Sequence, residues 1–386
     1  MSPLRIIHLN SLLTGGGTDD QCVKVAHGLQ QLGQDVRIAG PAGRDFSRII
    51  DALNVPFCNT GDTKSKTKFI LRAAKFIREF NPHIVHGHHG RDIWPTIMAT
   101  RLSGVRPKLV LTRHMAKSPS SWASRKFMLA QCDAVIVVSN FVEKILTQGM
   151  DDRNSPERER CHRPPIEGDF KKIHVIYPGI DTTKFRPALA DAKRNQLGLK
   201  PEHFAFAVTG GYHGPRGKGQ REFLRAAASI HNKIPNARFL IIGRGNMEST
   251  LKADIEQLGL QGKAWLTGQM SDMPQVMNAI DCLVHPQIGT EALALVLCEA
   301  YACGKPVIAS DLDGIPEAFV IGNLGQLVPP EDVNKLAEAM VAQVNAPRPT
   351  DAQKNEMHAR VEGRFSLQRA ASETLALYRG LVASKI

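Results

Sequence analysis

Short apolar runs rich in β-branched residues recur along this chain, each followed by a loop and then by a stretch with helical spacing. No other feature restricts the fold as strongly. LRIIHL (4–9), DVRIAG (35–40), HIVHG (83–87), KLVLTRH (108–114), DAVIVVS (133–139) and IHVIYPG (173–179) form a first series. FAFAVTG (204–210), FLIIG (239–243), AWLTG (264–268), DCLVHP (281–286), PVIAS (306–310) and GQLVPP (325–330) form a second. Strands that alternate with helices at this spacing form parallel sheets with helices on both faces, so the chain reads as α/β throughout. Helices are expected at about 19–32, ending at Gly33, at 66–80 as a basic amphipathic segment, and at about 367–382 after the second sheet is complete.

Two series of strands in 386 residues imply two doubly wound, Rossmann-like domains. The expected boundaries are 1–180 and 181–366, with a C-terminal helix, 367–386, packing back toward the first domain. DTTKFRPALADAKRNQLGLKPEH (181–203) reads as a connection rather than core. DDRNSPERERCHRPPIEGDFKK (151–172), charged and aperiodic, reads as an exposed insertion loop. In open parallel sheets, ligands bind beyond the carboxyl ends of the strands, so chemistry is sought in the loops that follow them.

No run approaches the ~20 apolar residues of a membrane span, and the N-terminus MSPLRIIHLNSLLTGGG lacks the layout of a signal peptide. Seven scattered cysteines without a C-x-x-C pair fit a reduced, cytoplasmic protein and not a structural zinc site. The formal charge of +12 favours anionic partners. Nucleic acid is not expected among them, because aromatic content is 6% and no basic, aromatic-rich binding motif occurs.

Three motifs fail on inspection. Gly15-Gly16-Gly17 follows the first strand, but the third glycine of a dinucleotide fingerprint would fall on Asp20, and no acid follows the second strand. What survives is a glycine turn at a helix start, where backbone N–H groups can meet an anion. Around Lys218, GGYHGPRGKGQ has Tyr212 and Gly219 where a P-loop requires Gly and Ser or Thr. His83, His86, His88, His89 and Asp92 crowd one strand end, but their spacing matches no metal motif; they read as polar residues at the edge of a cleft, and no metal ligand is assigned.

TEALALVLCEAYACGKPVIAS (290–310) sets Glu291 and Glu299 in small and apolar surroundings. If a helix runs from Glu291 to Cys303, capped by Thr290 and ended by Gly304, eight residues place the carboxylates roughly 12 Å apart along the axis. That exceeds the ~5–9.5 Å of a hydrolytic dyad. It suits a long ligand, with the helix start facing phosphate or sugar and Glu299 accepting from a ribose diol.

HPQIGTEALALVLCEAYACGKPVIASDLDGIPE (285–317) resembles the signature of the group 1 retaining glycosyltransferases, glycosyltransferase family four. The early GGG loop, HIVHGHH, VIVVSN (136–140), VIYPGIDTTKF (175–185) and GNLGQLVPP (322–330) extend the resemblance over nearly the whole chain. The resemblance implies a GT-B fold, two Rossmann-like domains facing across a cleft, with the acceptor on the N-terminal one and the nucleotide sugar on the C-terminal one. It implies that Glu291 and the backbone of Ala292, Leu293, Ala294 and Leu295 hold sugar and phosphate, and that Glu299 holds the ribose. Lys218, with Arg216 and His213 beside it, would meet the diphosphate. Gly16 and Gly17 would border the donor phosphates, and His114 would approach the reacting sugar. Two departures stand out: Ala292-Leu293-Ala294 replaces the family's Gly-Phe-Gly, and His213 replaces its Arg.

The resemblance thus implies a hexosyl-type enzyme that needs neither metal nor cofactor beyond its nucleotide-diphosphate sugar, acting on a lipid-linked or lipopolysaccharide-type glycan in cell-envelope synthesis. Two other readings of the same architecture are a sugar-nucleotide epimerase, which lacks these landmarks, and a nucleotide-binding pseudoenzyme, which Ala292-Leu293-Ala294 would permit. Basic residues at Lys66, Lys68, Arg72, Lys75, Arg78, Arg101, Arg106, Lys108, Arg113, Lys117, Arg125 and Lys126, with Phe69, Ile70, Phe76 and Trp122 among them, suggest peripheral docking on the anionic inner face of the plasma membrane.

Overall fold

The computed structural model describes residues 2–43, 45–61, 65–152, 161–214, 217–319 and 324–384. The chain divides into two compact units: 1–179 with 366–386, and 180–365.

The first unit begins β1 (Arg5–Leu9), α1 (Gly17–Gln31), β2 (Asp35–Gly40), α2 (Asp45–Ala52), β3 (Phe57–Asn59) and α3 (Lys66–Phe80). It continues β4 (Ile84–Gly87), α4 (Ile93–Leu102), β5 (Lys108–Arg113), α5 (Trp122–Gln131), β6 (Ala134–Val137) and α6 (Asn140–Gln148). A small hairpin of β7 (Met150–Asp152) and β8 (Cys161–Arg163) precedes β9 (Ile173–Val175). Seven strands form one parallel sheet in the order β3-β2-β1-β4-β5-β6-β9.

Local chemistry accounts for these elements. In α3, Phe69, Ile70, Ala73, Ala74, Ile77 and Phe80 recur at three- and four-residue spacing and are buried. The Ser65 side chain accepts from Lys68 N–H at its start, and Asn81 adopts φ 47° at its end. Ile6, Ile7 and Leu9 of β1 are fully buried, each contributing about 1.5–3 kcal/mol of apolar burial.

The second unit runs α7 (Asp191–Gln196), β10 (Phe204–Thr209), α8 (Gln220–Ile230), β11 (Ala237–Ile242), α9 (Glu248–Gln257) and β12 (Ala264–Gly268). It continues α10 (Met273–Ala279), β13 (Cys282–His285), α11 (Leu295–Ala302), β14 (Val307–Ser310), α12 (Ile315–Ala318), β15 (Gly325–Val328), α13 (Val333–Asn345) and α14 (Asp351–Phe365). Its parallel sheet has the order β12-β11-β10-β13-β14-β15. Phe206, Phe223 and Phe239 form its aromatic centre, with rings 5.9 Å apart in stacked and edge-on pairs.

The last helix, α15 (Leu367–Ala383), belongs to the first unit. Its Leu375 and Tyr378 join the core of Ile6, Val23, Ile38 and Ile84. Arg369 donates to the Tyr177 carbonyl at 2.6 Å.

Two readings of the sequence change. Segment 181–203 is not a bare connection: it contains α7 and buries Phe185, Leu197 and Leu199. Arg194 anchors it, donating to the Ala279 carbonyl at 2.8 Å and to Asp281 at 3.0 Å. Within 151–172 the described residues form the β7–β8 pairing and a 3₁₀ turn at Phe170–Lys172, tied down by Lys172 to the carbonyls of Leu129 and Cys132; residues 153–160 lie outside the described residues.

Candidate active site

Both sheets reverse their strand order once, between β1 and β4 and between β10 and β13. Such switch points open a crevice at the carboxyl ends of the strands, because the adjoining loops turn to opposite faces.

In the second unit the crevice is bordered by the loop after β10, which carries His213 and Lys218, and the loop after β13, which carries Glu291. Lys218 Nζ lies 2.6 Å from Glu291 Oε2, a partly exposed pair across 73 residues of sequence. Gln220, at the start of α8, accepts from Lys218 N–H at 2.7 Å and fixes the lysine's backbone. The two loops touch at Gly219, where φ is 80° and an added Cβ would sit 1.9 Å from the Pro286 carbonyl oxygen. Only glycine satisfies both demands.

The helix expected from Glu291 starts four residues later, at Leu295, with Ala294 rather than Thr290 in the capping position. Tertiary bonds hold 291–294 out of it. Glu291 N–H donates to Asp313 at 3.3 Å, and Gly314 N–H donates to the Glu291 carbonyl at 3.1 Å. Ala292 N–H donates to Glu291 Oε1 at 3.1 Å. The 12 Å helical spacing between Glu291 and Glu299 therefore does not apply. Glu291 lies in a loop at the amino end of α11, and Glu299 lies on α11, half-buried. Gly304 does end the helix, with φ 71°. Ala292, Leu293 and Ala294 are buried, Leu295 is half-buried and His213 is exposed. Arg216 lies outside the described residues.

Sequence reasoning missed His285, the last residue of β13. It is 3% exposed, and neither ring nitrogen has a hydrogen-bond partner among the described residues. Burial pushes it down to about 4, with Lys218 adding to the effect and Glu291 opposing it. A neutral imidazole beside the ion pair offers one donor and one acceptor. Gln287 Oε1 and Gln220 Nε2 are likewise buried without partners. Part of the signal was available: His285 ends, and Gln287 follows, a strand whose other positions are apolar.

In the first unit the crevice lies between the loop after β1 and the loop after β4. Asn10 Oδ1 accepts from the N–H groups of Leu12 and Leu13, and Asn10 Nδ2 donates to Asp19 at 2.8 Å. Asp19 also accepts from Gly15 N–H at 2.9 Å and lies 2.8 Å from His89. Burial alone would raise the Asp19 carboxyl, but these hydrogen bonds prevail and hold it below the usual range. The Gly15 N–H thus already serves a carboxylate of the chain itself. Gly16 caps α1 with no side-chain hydrogen bond, and Gly17 begins it; both are exposed.

The histidine cluster differs from the expectation of residues at an edge: His86, His88 and Asp92 are at most 2% exposed. β1 pairs with β4 so that His8, which sequence reading left out, lies opposite His86. His8, His86 and His88 bring one ring nitrogen each within 4.8 Å of one another. His8 Nδ1 meets His88 Nε2 at 2.7 Å, and His86 meets Thr112 at 2.6 Å and Tyr378 at 2.5 Å, while His8 Nε2 has no partner among the described residues. His114 follows β5, with Nε2 3.4 Å from His88 Nδ1.

Two family models match the chain: one described as glycosyltransferase family 4, over residues 15–155, and one described as glycosyl transferases group 1, over residues 204–345. The phosphatidyl-myo-inositol mannosyltransferase of Mycolicibacterium smegmatis is 34% identical over 338 residues, which cover 84% of this chain and 80% of that protein. The chain belongs to the group 1, family 4 glycosyltransferases. The UDP-Gal:alpha-D-GlcNAc-diphosphoundecaprenol alpha-1,3-galactosyltransferase of Escherichia coli is 29% identical over 283 residues, covering 72% of this glycosyltransferase and 70% of the relative. Against D-inositol 3-phosphate glycosyltransferases that also match, the chain spans about half of their length. A glycosyltransferase structure from Rickettsia africae superposes with a TM-score of 0.81 at 22% identity, covering 99% of both chains, which shows the shared GT-B fold.

The basic and apolar surface of the first unit also differs in detail from expectation. Phe69 and Ile70 are core residues and Arg113 is buried. Among the apolar side chains that reach solvent are Leu71, Met98, Leu102, Trp122 and Phe127, with Ile49, Met115 and Phe170 exposed elsewhere on the unit. Lys126 lies 5.3 Å from the centre of the Trp122 ring. Among the described residues, no helix is long and apolar enough to cross a membrane.

Proposed function

We propose that this glycosyltransferase moves a hexose from a nucleoside-diphosphate donor to a hydroxyl of a lipid-linked or lipopolysaccharide-type glycan, with retention and without a metal ion. The observation that carries the reading is the Lys218–Glu291 pair at the β10–β13 switch point, next to the amino end of α11. It places a cation, a carboxylate and a helix dipole where a diphosphate and a sugar can be held together.

Each group then has a task. Lys218 and the amino end of α11 stabilise the charge that develops on the leaving diphosphate. Glu291 accepts from hydroxyls of the transferred sugar, and Glu299 accepts from the ribose diol. His114 serves a hydroxyl of the reacting sugar. The bond from the anomeric carbon to the diphosphate oxygen breaks as the acceptor oxygen bonds the same face of that carbon. The acceptor proton passes to the departing phosphate, so no side chain is needed as a nucleophile.

The names of the relatives support the substrate classes: one is a UDP-Gal transferase for a diphosphoundecaprenol-linked sugar, another a phosphatidyl-myo-inositol mannosyltransferase. In this reading Leu71, Met98, Leu102, Trp122 and Phe127, with Lys68, Lys75, Arg101 and Lys126, dock the first unit on an anionic membrane.

Thermal unfolding with UDP, GDP and ADP tests the donor site. At one hundred times Kd the bound nucleotide adds about 2.7 kcal/mol. One of the three is expected to raise the midpoint, and Glu299→Gln and Lys218→Met each to cut the rise to about half or less. A rise that both variants retain in full would overturn the assignment.

A further inference from the structure

The three imidazoles at the carboxyl ends of β1, β4 and β5 form a line. The rings of His8 and His88 stack with centres 4.9 Å apart, and those of His88 and His114 with centres 5.7 Å apart. His8 Nδ1 meets His88 Nε2 at 2.7 Å, and His88 Nδ1 meets His114 Nε2 at 3.4 Å. The inner end is sealed: His8 is 0% exposed, and its Nε2 has no partner among the described residues. His114 is the one ring of the three that reaches solvent. His86 stands outside the line, with both nitrogens engaged by Thr112 and Tyr378.

Burial keeps the rings uncharged: it pushes His8 and His114 down to about 3 and holds His88 well below its ordinary value. A neutral imidazole has one N–H and one lone pair. His88 must therefore accept through one nitrogen and donate through the other, which couples the tautomer of His114 to that of His8. Two arrangements satisfy the line. With N–H on every Nε2, His8 is left with a buried, unpaired donor. With N–H on every Nδ1, it is left with an unpaired lone pair, and orphaned buried N–H groups are the rarer of the two.

We infer that His8 and His88 are positioning residues that hold His114 as the Nδ1–H tautomer, so that His114 meets its substrate as a hydrogen-bond donor and not as a base. The sealed end at His8 gives a proton no exit, so the line orients rather than conducts. A donor at His114 fits a role in gripping a sugar hydroxyl and leaves deprotonation of the acceptor to the leaving phosphate. This consequence rests on the proposed sugar-facing role of His114; the tautomer assignment does not.

Long-range ¹H–¹⁵N correlation spectra of ¹⁵N-histidine-labelled protein, with His114→Gln to assign the signals, test it without a ligand. A pyrrole-type Nδ1 and a pyridine-type Nε2 are expected at His114. His8→Phe removes the inner anchor and is expected to mix the tautomers of His114. His8→Asn, which places an amide N–H near the position of Nδ1, is expected to restore them. A pyridine-type Nδ1 at His114 in the native protein, or a tautomer unmoved by His8→Phe, overturns the inference; if the Phe variant does not fold, the native spectrum and the Asn variant decide. With UDP-glucose as the probe donor, His8→Phe is expected to lower kcat for hydrolysis with KM little changed. Absence of hydrolysis by the native protein would count against UDP-glucose as donor, while the spectra would still decide the tautomer.

Discussion

Replacing Gly219 by alanine tests whether the donor site is built from two loops in hard contact. The backbone there has φ 80°, which costs a residue with a Cβ about 1–2 kcal/mol. The new Cβ would also lie 1.9 Å from the Pro286 carbonyl oxygen, and forced entry into packed space adds about 1–3 kcal/mol. Gly262, in the turn before β12, is the matched control: φ is 72°, and an added Cβ meets nothing within 4 Å. For a unit of this size, 1 kcal/mol moves the midpoint by about 2–4 °C. Scanning calorimetry should therefore show Gly262→Ala losing about 2–8 °C and Gly219→Ala about 4–20 °C, roughly twice as much or more. Nucleotide stabilisation should survive in the first variant and fall in the second, because a displaced 219 carries Lys218 with it. Equal losses in the two variants would refute the reasoning: the Pro286 loop would then yield freely, and the Lys218–Glu291 geometry would not depend on it.

Other outcomes follow from the same structure. Lys218→Met should weaken nucleoside diphosphate binding by about 10–100-fold, the worth of a charge-assisted bond, and leave monophosphate binding less affected, read by titration calorimetry. His8 and His285 are buried neutral, with folded values depressed to about 3 and 4 from 6.5. The unfolded chain takes their protons first, so their contribution is complete above pH 6.5 and is lost as pH falls toward 4, at about 1.4 kcal/mol per pH unit for each ring. Urea titrations at pH 7, 6 and 5 should show stability falling at least that steeply, since His114 and His88 are depressed as well, and His285→Phe should reduce the slope by one proton. Binding to anionic phosphatidylglycerol vesicles should weaken with salt and fall further in Trp122→Ser with Lys126→Glu; equal binding to neutral vesicles would count against docking by this surface.

The fold was legible because buried parallel strands leave continuous apolar runs, and each of the twelve runs quoted from the sequence overlaps a strand of the structure. Helix α3 was legible to the residue, since Ser65 and Asn81 mark its ends chemically. Strand β3, three residues long, left too little pattern to see. The start of α11 was misread because Ala and Leu favour helix locally, whereas Asp313 and Gly314, more than twenty residues on, claim the backbone of Glu291. His8 escaped notice because its partners lie about eighty residues away and meet it only through the β1–β4 register. Arg113, Phe69 and Ile70 joined the expected docking surface because composition alone does not show which face of an element is buried.

Hydrogen–deuterium exchange with and without the nucleotide that stabilises the protein tests the central claim most directly, because it reports where the donor binds. The account expects protection in peptides covering 217–220 and 290–299, lost in Lys218→Met. Protection confined to the first unit, or unchanged in that variant, would contradict the assignment of the β10–β13 switch point as the donor site.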